Sequence, residues 1–388
     1  MIQIPYGRQD INEEDIAAVE AVLRSDWLTQ GPAVEGFEEA VRGYCGAACG
    51  VAMNSATSAL HLACRALGLG PGDLMWTSPN TFVASANAAR YCGASVDFVD
   101  IDDRTYNIST AALTEKLTTV RKQKGVLPKI VMPVHFAGQS CDMREIGRLA
   151  KEFGFSVIED ASHAIGGRYL DRPVGDCRYS SIAVFSFHPV KIVTTGEGGM
   201  AVTNDAELAS RMRLLRSHGV TRDPGQMKGP PQGPWYYEQI ELGYNYRMTD
   251  IQAALGTSQM QRINDYVRTR HAIAERYDRA LADLPVVLPW QSPHTHSAYH
   301  LYPIRIDSSK TSRTREEVFA RMRNGGIGVN VHYIPVHTQP YYRTLGFKDK
   351  SFPVAEQYYK NVMSLPLFPG LDENRQTEVI SVLRKALV

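Results

Sequence analysis

Short apolar runs alternate with amphipathic stretches over the first two-thirds of this 388-residue chain. The amphipathic stretches predict one helix that follows residue 53 and runs to residue 67, a second from about 82 to 91 and a third from about 143 to 153. The apolar runs predict strands at residues 50–53, 74–77, 95–99, 129–134, 156–159, 181–187 and 199–203. Strands that alternate with helices at this spacing form βαβ units, so the sequence predicts an α/β fold with a mainly parallel sheet.

The last third of the chain has a different pattern. A Gly- and Pro-rich stretch at 223–234 predicts a loop, and a long helical pattern runs from residue 249 to about residue 284. Beyond it, strands are predicted near 298–306 and 329–333, and helices near 315–324, 355–363 and 373–387. A chain of this length is expected to hold two or three domains.

The composition excludes several classes of protein. Lys and Arg total 42 against 41 Asp and Glu, and there is no long basic run, so neither nucleic acid nor a membrane surface is an expected partner. The chain has no run of ~18 apolar residues, so no membrane span is predicted. The opening MIQIPYGRQD does not have the pattern of a secretory signal. The cysteines are scattered, with Cys45 and Cys49 as the one close pair, which is typical of reduced thiols. We therefore expect a cytoplasmic protein.

Residues that suit one particular cofactor occur together in this chain. VIEDASHAIGG (157–167) is an apolar strand pattern that ends at Glu159 and Asp160, and SFHPVKIVTTGEGG (186–199) places Lys191 before a Gly-rich loop. A lysine forms the Schiff base to the aldehyde of pyridoxal phosphate (PLP), and a carboxylate keeps the pyridine nitrogen protonated so that the ring accepts electrons. A lone lysine is usually only solvated and an Asp at a strand end is usually a helix cap. The combination of Lys191 and Asp160 predicts PLP chemistry.

A candidate phosphate site lies earlier, in NSATSALHLA (54–63). Small polar residues there join a predicted strand to a helix, and backbone amides at a helix N-terminus bind phosphate with the help of the helix dipole. Ala56 and Thr57 would supply the N–H groups, and Ser186 could add a hydroxyl. Without the other motifs, an ordinary N-cap by Ser55 or Thr57 would be the better interpretation.

Other candidate positions have ordinary structural alternatives. Phe82 could stack on the pyridine ring, although an isolated Phe at the start of a helix usually belongs to the core. His163 could bond to the phenolic oxygen of the cofactor or stack on its ring, or it could be a histidine at a helix entry without a ligand. Asn245 and Arg247 precede a predicted helix, where capping is the ordinary interpretation.

A histidine-rich stretch, SPHTHSAYH (292–300), has a spacing that resembles a metal site. Its candidate ligands are His294, His296 and His300. No acidic cluster accompanies them, and SAYHLYPI is a strand pattern, so we predict no metal site.

Several segments, in this order along the chain, resemble those of the DegT/DnrJ/EryC1/StrS family of PLP-dependent sugar aminotransferases. They are IPYGRQDI (4–11), RSDWLTQGP (24–32), NSATSALHLA, EDASHAIG, SFHPVKIVTTGEGG, ELGYNYRMTDIQAALG (241–256) and VNVHYIPVH (329–337). The similarity covers essentially the whole length, and motifs in the right order are far more specific than a lone Gly-rich loop. The resemblance implies aminotransferase fold type I, with a large PLP-binding domain and N-terminal arm at 1–248. A linking helix and a small C-terminal α/β domain would occupy 249–388.

The resemblance also implies a role for each matched residue. Lys191 would be the Schiff-base lysine and Asp160 the partner of the pyridine nitrogen, and both would be catalytic. Further cofactor contacts would come from Ala56, Thr57, Phe82, His163, Ser186 and Asn245. Asn245 would reach the phosphate from the neighbouring subunit, which implies a homodimer with shared sites. Contacts to the sugar nucleotide would come from Tyr6, Asp26, Trp27, Leu28, Thr29, His332 and Tyr333.

Two departures from the family pattern concern the cofactor. Ala56 stands where many relatives have Gly. Its methyl group is small enough to permit close approach of an anion to the backbone. His163 stands where many relatives have Gln, which differs in its hydrogen-bonding groups.

Within the family, the strings SFHPVK, TTGEGG, SPNTFVASAN and RSDWLTQGP most resemble the UDP-4-keto-6-deoxy-sugar aminotransferases of pseudaminic acid biosynthesis. The implied reaction moves an amino group from an amino acid, glutamate by family analogy, to the C4 keto group of a UDP-linked 4-keto-6-deoxy-N-acetylhexosamine. This is the reaction of a UDP-4-amino-4,6-dideoxy-N-acetyl-β-L-altrosamine transaminase. Sugars of the legionaminic acid, bacillosamine and perosamine pathways stay open as alternatives.

Other activities remain as competing hypotheses. Dehydratases on the same scaffold typically replace the lysine by histidine, whereas Lys191 is present here. A PLP-binding regulator would need an added DNA-binding module, which this sequence lacks. A dinucleotide-binding oxidoreductase would need G-x-G-x-x-G after the first strand, where this chain has NSATSA.

Overall fold

The computed structural model describes residues 2–388. Its α-helices are α1 Glu13–Leu23, α2 Pro32–Cys45, α3 Ala56–Ala66, α4 Val83–Tyr91, α5 Thr110–Lys122, α6 Met143–Phe153, α7 Ala206–Arg216, α8 Asp250–Met260, α9 Ile263–Leu281, α10 Arg315–Asn324, α11 Pro340–Thr344, α12 Pro353–Asn361 and α13 Glu373–Leu387. Its strands are β1 Cys49–Met53, β2 Leu74–Thr77, β3 Ser95–Phe98, β4 Ile130–Met132, β5 Ser156–Asp160, β6 Arg168–Tyr169, β7 Arg172–Pro173, β8 Ile182–Ser186, β9 Gly199–Thr203, β10 Val220–Thr221, β11 Glu238–Gln239, β12 Val286–Val287, β13 Thr295–His296, β14 Tyr302–Ile306 and β15 Val362–Leu365.

A seven-stranded sheet with the order β1-β9-β8-β5-β4-β2-β3 forms the centre of the molecule. Strand β9 is antiparallel to both of its neighbours, whereas the pairings from β8 through β5, β4 and β2 to β3 are parallel. The residues of β4, β8 and β9 are all buried, as expected for strands covered on both faces. The predicted α/β fold with a mainly parallel sheet is confirmed.

Helices cover the two faces of this sheet. Alternate residues of a strand point to opposite faces, so Ile182 and Val184 of β8 enter one apolar core, while Ala183 and Phe185 enter the other. Helices α3, α4 and α7 contribute to the first core, and α2 and α8 contribute to the second. This packing leaves the carboxyl ends of the parallel strands at one edge, between the helix layers.

A smaller antiparallel sheet, β12-β14-β15, lies in the C-terminal part of the chain. It shares a third apolar core with α9, α10 and α13. Helix α8 instead packs on α1 and α2, so the predicted boundary at 248/249 assigns to the second domain a helix that packs on the first. That boundary remains a prediction.

The structure differs from the sequence prediction at several elements. The predicted helix from 249 to about 284 is broken at Gln261 and Arg262 into α8 and α9. The strand predicted at 329–333 is wrong, because side-chain oxygens take the backbone N–H groups that a strand would need. Asn330 accepts from the N–H of Val331 at 2.8 Å, and Asn80 accepts from the N–H of Tyr333 at 3.3 Å. Such bonds between side chains and the backbone compete with the hydrogen bonds of a sheet. Strand β15, which replaces the end of a predicted helix, pairs with β14 instead.

No helix within residues 2–388 is long and apolar enough to cross a membrane.

Candidate active site

The predicted catalytic residues lie together at the carboxyl edge of the central sheet. Strand β5 ends at Asp160, which is paired in register with Val184 of the neighbouring strand β8. Strand β8 ends at Ser186 and leads into a turn, in which the N–H of Lys191 donates to the carbonyl of His188 at 2.9 Å. Ligands of open α/β sheets bind outside the carboxyl ends of the strands, so Lys191 and Asp160 occupy the expected place for a site.

The amine of Lys191 has an unusual environment. Burial lowers its pKa to about 8, although the negative charge of nearby Asp160 raises it. Among the described residues, its Nζ atom has no hydrogen-bond partner. An amine with this pKa is available as a nucleophile near neutral pH, in contrast to an ordinary surface lysine.

The carboxylate of Asp160 is buried and held from two sides. Its Oδ2 atom accepts from the hydroxyl of Ser85 at 2.6 Å, and its Oδ1 atom accepts from the N–H of Ser162 at 3.1 Å. The hydroxyls of Ser85 and Thr81 are 2.7 Å apart; because Ser85 donates to Asp160, Thr81 donates to Ser85. Sequence reasoning missed Ser85, although its position three residues after Phe82 places both on one face of a helix.

The start of α3 forms the predicted phosphate cradle. Ser55 is indeed the N-cap, and its hydroxyl accepts from the N–H of Ser58 at 3.1 Å, which leaves the N–H groups of Ala56 and Thr57 without partners in the described chain. Gly199 of β9 packs against this turn so closely that a Cβ atom there would lie 2.4 Å from the nitrogen of Ala56. Gly199 is also paired in register with Ser186, so the structure brings Ser186 to the same helix start.

A cluster of imidazoles and tyrosines lies near Lys191. The Nδ1 atom of His163 accepts from the N–H of Ala137 at 3.3 Å, and its Nε2 atom lies 3.1 Å from the hydroxyl oxygen of Tyr333. The ring of His300 packs on that of His163 with centroids 4.4 Å apart. His332 bonds through Nδ1 to the hydroxyl of Ser364 at 2.8 Å.

Burial and charge keep these imidazoles neutral. The pKa of His163 is well below its ordinary value, first because of burial and then because of the charge of Lys191. The pKa of His300 is lowered well below its ordinary value by the same burial and by Lys191. Burial, with Lys191, lowers the pKa of His332 to about 3. Burial raises the pKa of Tyr333, and the charges of Asp160 and Tyr6 raise it further.

Further aromatic side chains lie beside this cluster. Phe82 is 61% exposed, which excludes the alternative that it is a core residue, and its ring centroid lies 6.4 Å from that of Tyr333. The ring of Tyr6 lies 5.6 Å from that of His332. The next residue, Gly7, packs on Val190, one residue before Lys191.

The remaining predicted residues have no described side-chain contact with Lys191 or Asp160. Asp26, Trp27, Leu28 and Thr29 are exposed and have no described contact with Lys191. Their segment is held at the start of α8, where Asp250 accepts from the N–H of Gly31 at 2.8 Å and donates its own N–H to the carbonyl of Leu28 at 3.0 Å. Asn245 is also exposed, and its carbonyl accepts from the side chain of Asn54 at 3.4 Å.

The model of the DegT/DnrJ/EryC1/StrS aminotransferase family matches residues 9–384. The chain belongs to this family. It is therefore an enzyme, an aminotransferase, and its cofactor is PLP. The resemblance found in the sequence motifs is confirmed, as is the expected fold type I.

Individual relatives are similar over nearly the whole chain. The spore coat polysaccharide biosynthesis protein SpsC of Bacillus subtilis is 41% identical, over 98% of this chain and 96% of its own. The UDP-4-amino-4-deoxy-L-arabinose–oxoglutarate aminotransferase of Shewanella sediminis is 37% identical, over 98% and 97%. Among solved structures, Helicobacter pylori PseC, an aminotransferase involved in the biosynthesis of pseudoaminic acid, has a TM-score of 0.90 at 31% identity and covers 99% of both chains.

The residues present fit PLP on structural grounds. The unpartnered N–H groups of Ala56 and Thr57 suit the phosphate, the fixed carboxylate of Asp160 suits a protonated pyridine nitrogen, and the amine of Lys191 suits the aldehyde. These groups lie together at the carboxyl edge of the central sheet.

Proposed function

We propose that this enzyme transfers the amino group of glutamate to the C4 keto group of a UDP-linked 4-keto-6-deoxy-N-acetylhexosamine, for pseudaminic acid or a related surface sugar. The observation that carries the amino transfer is the low-pKa amine of Lys191 beside the fixed carboxylate of Asp160. The similarity to PseC supports the sugar. The Shewanella relative, whose name pairs a UDP-sugar with oxoglutarate, supports the nucleotide and the donor.

In this mechanism, PLP supplies an aldehyde that takes up amines and a ring that accepts electrons. The N–H groups of Ala56 and Thr57 and the hydroxyl of Ser186 would hold its phosphate, and Phe82 would contact its ring. Asp160 would accept a hydrogen bond from the pyridine nitrogen, since Ser85 and Ser162 fix its carboxylate in place.

Lys191 is the proposed general base and acid. In the first half-reaction its Nζ atom takes the proton from the α-carbon of glutamate, and in the second half-reaction it gives a proton to C4 of the sugar. The lowered pKa of about 8 suits both tasks, because a group that titrates near the working pH can both accept and donate.

We further propose that the working unit is a cytoplasmic homodimer. The exposed positions of Asn245 and of Asp26, Trp27, Leu28 and Thr29 leave them available to the site of a second copy. Asn245 would then contact the phosphate, while the 26–29 segment, with Tyr6, His332 and Tyr333, would contact the sugar nucleotide.

A panel of UDP- and dTDP-linked 4-keto sugars with glutamate tests the substrate. We expect 2-oxoglutarate and a 4-amino sugar only with a UDP-linked 4-keto-6-deoxy-N-acetylhexosamine. Turnover of another 4-keto sugar alone would assign the enzyme to a related pathway, such as those of bacillosamine or legionaminic acid. No amino sugar from any member of the panel would contradict the proposal.

Borohydride reduction of the loaded enzyme tests the role of Lys191. We expect the cofactor to be fixed to the peptide that contains Lys191, and Lys191→Ala to abolish both fixation and turnover. The exposed Lys310, which pairs only with Asp307, offers a matched control, since Lys310→Ala should change neither. Fixation of the cofactor to another lysine would show that the assignment is wrong.

A further inference from the structure

The hydrogen bonds around His163 determine which of its nitrogens carries the proton. A backbone N–H can only donate, so the Nδ1 atom that faces the N–H of Ala137 at 3.3 Å must be an acceptor. The imidazole is buried among other imidazoles and near Lys191, which disfavours the doubly protonated ring. The single proton of His163 therefore lies on Nε2.

That proton in turn determines which way the hydroxyl hydrogen of Tyr333 can point. The Nε2–H group of His163 points at the hydroxyl oxygen of Tyr333, 3.1 Å away, so this oxygen acts as the acceptor. The hydrogen of the Tyr333 hydroxyl is then free to be donated, and no described residue accepts it. The ring of Tyr333 lies beside that of the exposed Phe82, at 6.4 Å between ring centroids.

Other residues keep the pair in this state. The ring of His300 packs on that of His163 at 4.4 Å between centroids. A positive charge on either imidazole would be unfavourable because of the nearby ammonium group of Lys191. The N–H of Tyr333 is bound by Asn80 at 3.3 Å, which fixes its backbone. The Tyr333 hydroxyl is thus a preorganised donor of one hydrogen bond, which is the arrangement that stabilises charge on a reacting oxygen.

We infer that Tyr333 donates its hydroxyl hydrogen to the keto oxygen of the sugar substrate, and that His163 is the positioning residue that directs this donor. The inference rests on the proposed function and gives the tyrosine a role beyond contact with the sugar nucleotide. The keto oxygen can only accept hydrogen bonds, and a donor aimed at it makes C4 more susceptible to attack by an amine. His163 acts through Tyr333 in this scheme and not on the phenolic oxygen of the cofactor.

The two half-reactions, followed separately in single turnovers by the absorbance of the cofactor, test this role. Tyr333→Phe should slow the half-reaction with the keto sugar by ~100-fold, the usual effect of removing one such donor, and leave the half-reaction with glutamate nearly unchanged. Tyr358→Phe is a matched control, because the buried hydroxyl of Tyr358 has no partner among the described residues, and it should change neither rate. Equal loss in both halves, or no loss in either, would overturn the inference.

The cofactor itself is the competing acceptor. If Tyr333 donated to its phenolic oxygen, Tyr333→Phe would shift the pH at which the absorbance of the loaded enzyme changes, with no sugar present. We expect no such shift, and observing one would reassign the donor to the cofactor.

Variants of His163 test the positioning. Glutamine can accept from Ala137 and donate to Tyr333, whereas leucine can do neither, so His163→Gln should recover most of the keto-sugar rate that His163→Leu loses. In ¹⁵N-histidine-labelled wild-type protein, NMR should show a protonated Nε2 and an unprotonated Nδ1 for His163. A protonated Nδ1 would overturn the inference, even if Tyr333→Phe failed to fold. If instead wild-type enzyme reacts with glutamate and with none of the sugars, the proposed function fails while the NMR result can still hold.

Discussion

At the scale of single residues, two opposing effects set the reactivity of Lys191. Burial destabilises its ammonium form, and the carboxylate of Asp160 stabilises it. Burial dominates, because the pKa falls to about 8. The aspartate therefore has a second effect besides its proposed contact with the pyridine nitrogen, since it keeps the lysine from losing its proton too easily.

The pH dependence of cofactor uptake should report this balance. Enzyme freed of PLP should react with added PLP at a rate that rises with pH to a plateau, with a midpoint at about 8, because only the neutral amine is nucleophilic. Asp160→Asn removes the charge that favours the ammonium form, so its midpoint should move to lower pH. Stopped-flow absorbance measures both rates. A midpoint near 10 in the wild type, or a shift to higher pH in the variant, would contradict the assigned environment.

At the scale of secondary-structure elements, the phosphate cradle depends on how closely β9 approaches α3. Gly199 has no side chain, and this allows the start of α3 to lie against the strand. This close packing brings together the N–H groups of Ala56 and Thr57 and the hydroxyl of Ser186.

Gly199→Ala should therefore weaken PLP binding. The added Cβ atom would lie 2.4 Å from the nitrogen of Ala56, so the first turn of α3 must move away from Ser186. We expect the Kd for PLP to rise by at least about tenfold, or roughly 1.4 kcal/mol, in a titration of the cofactor-free enzyme. Gly70→Ala serves as control, because nothing lies within 4 Å of a Cβ atom at that glycine. Equal affinities for PLP in both variants would show that the cradle does not depend on this contact.

Helix α9 supports the imidazole cluster through a buried arginine. Arg270 is 1% exposed and donates to the carbonyls of Tyr299 at 3.1 Å, His300 at 3.4 Å and Leu367 at 3.0 Å. Among the described residues no carboxylate pairs with it, and burial lowers its pKa to about 10. Its guanidinium thus holds the backbone on which His300 stands.

Arg270→Met should destabilise the fold by about 3 kcal/mol, since it leaves buried carbonyls without a donor. Arg268→Met, on the same helix with a side chain that is 74% exposed, should cost less than about 0.5 kcal/mol. Urea unfolding measures both free energies. A loss of stability no larger in Arg270→Met than in the control would mean that other donors replace the guanidinium.

For the molecule as a whole, the proposed homodimer would combine residues of two chains in each site. Lys191, Asp160 and the cradle come from the central sheet and its helices. Trp27 and Leu28 are 55% and 49% exposed and have no described contact with these groups, and the exposed Asn245 contacts Asn54, just before the cradle, through its backbone carbonyl. A two-fold assembly would let such segments reach a second site while each site keeps its own lysine.

Mixed dimers of two inactive variants test this arrangement. Lys191→Ala removes the lysine, and Asn245→Asp puts a negative charge where the partner's phosphate is expected. If Asn245 acts across the interface, one site of the mixed dimer carries both defects and the other carries neither, so subunit exchange should restore part of the activity. A mixture that stays inactive, although exchange is shown by mass spectrometry, would exclude the role in trans and leave the assignment of PLP intact.

The class of fold and the catalytic pair Lys191 and Asp160 could be predicted from the amino-acid pattern alone. The apolar runs of the central strands and the amphipathic patterns of α4 and α6 are local properties, and their predicted bounds agree with the structure within a residue or two. Asp160 could be predicted because it ends a strand, and Lys191 because it follows the neighbouring parallel strand, and the ends of such strands meet at one edge of a sheet. Ser186 could be predicted at the phosphate because it lies five residues before Lys191.

The hydrogen-bond partners of these residues depend on tertiary packing and are not apparent in the sequence pattern. His163 and Tyr333 are 170 residues apart in sequence and share a hydrogen bond, and Ser85 reaches Asp160 from 75 residues away. Residues 329–333 have the alternation of a strand, yet Asn80 and Asn330 take backbone N–H groups that a strand would need. Periodicity reports which face of a segment is apolar. It carries no information on which distant donor or acceptor packing will place against that segment, and in this protein those distant pairs orient the groups of the proposed site.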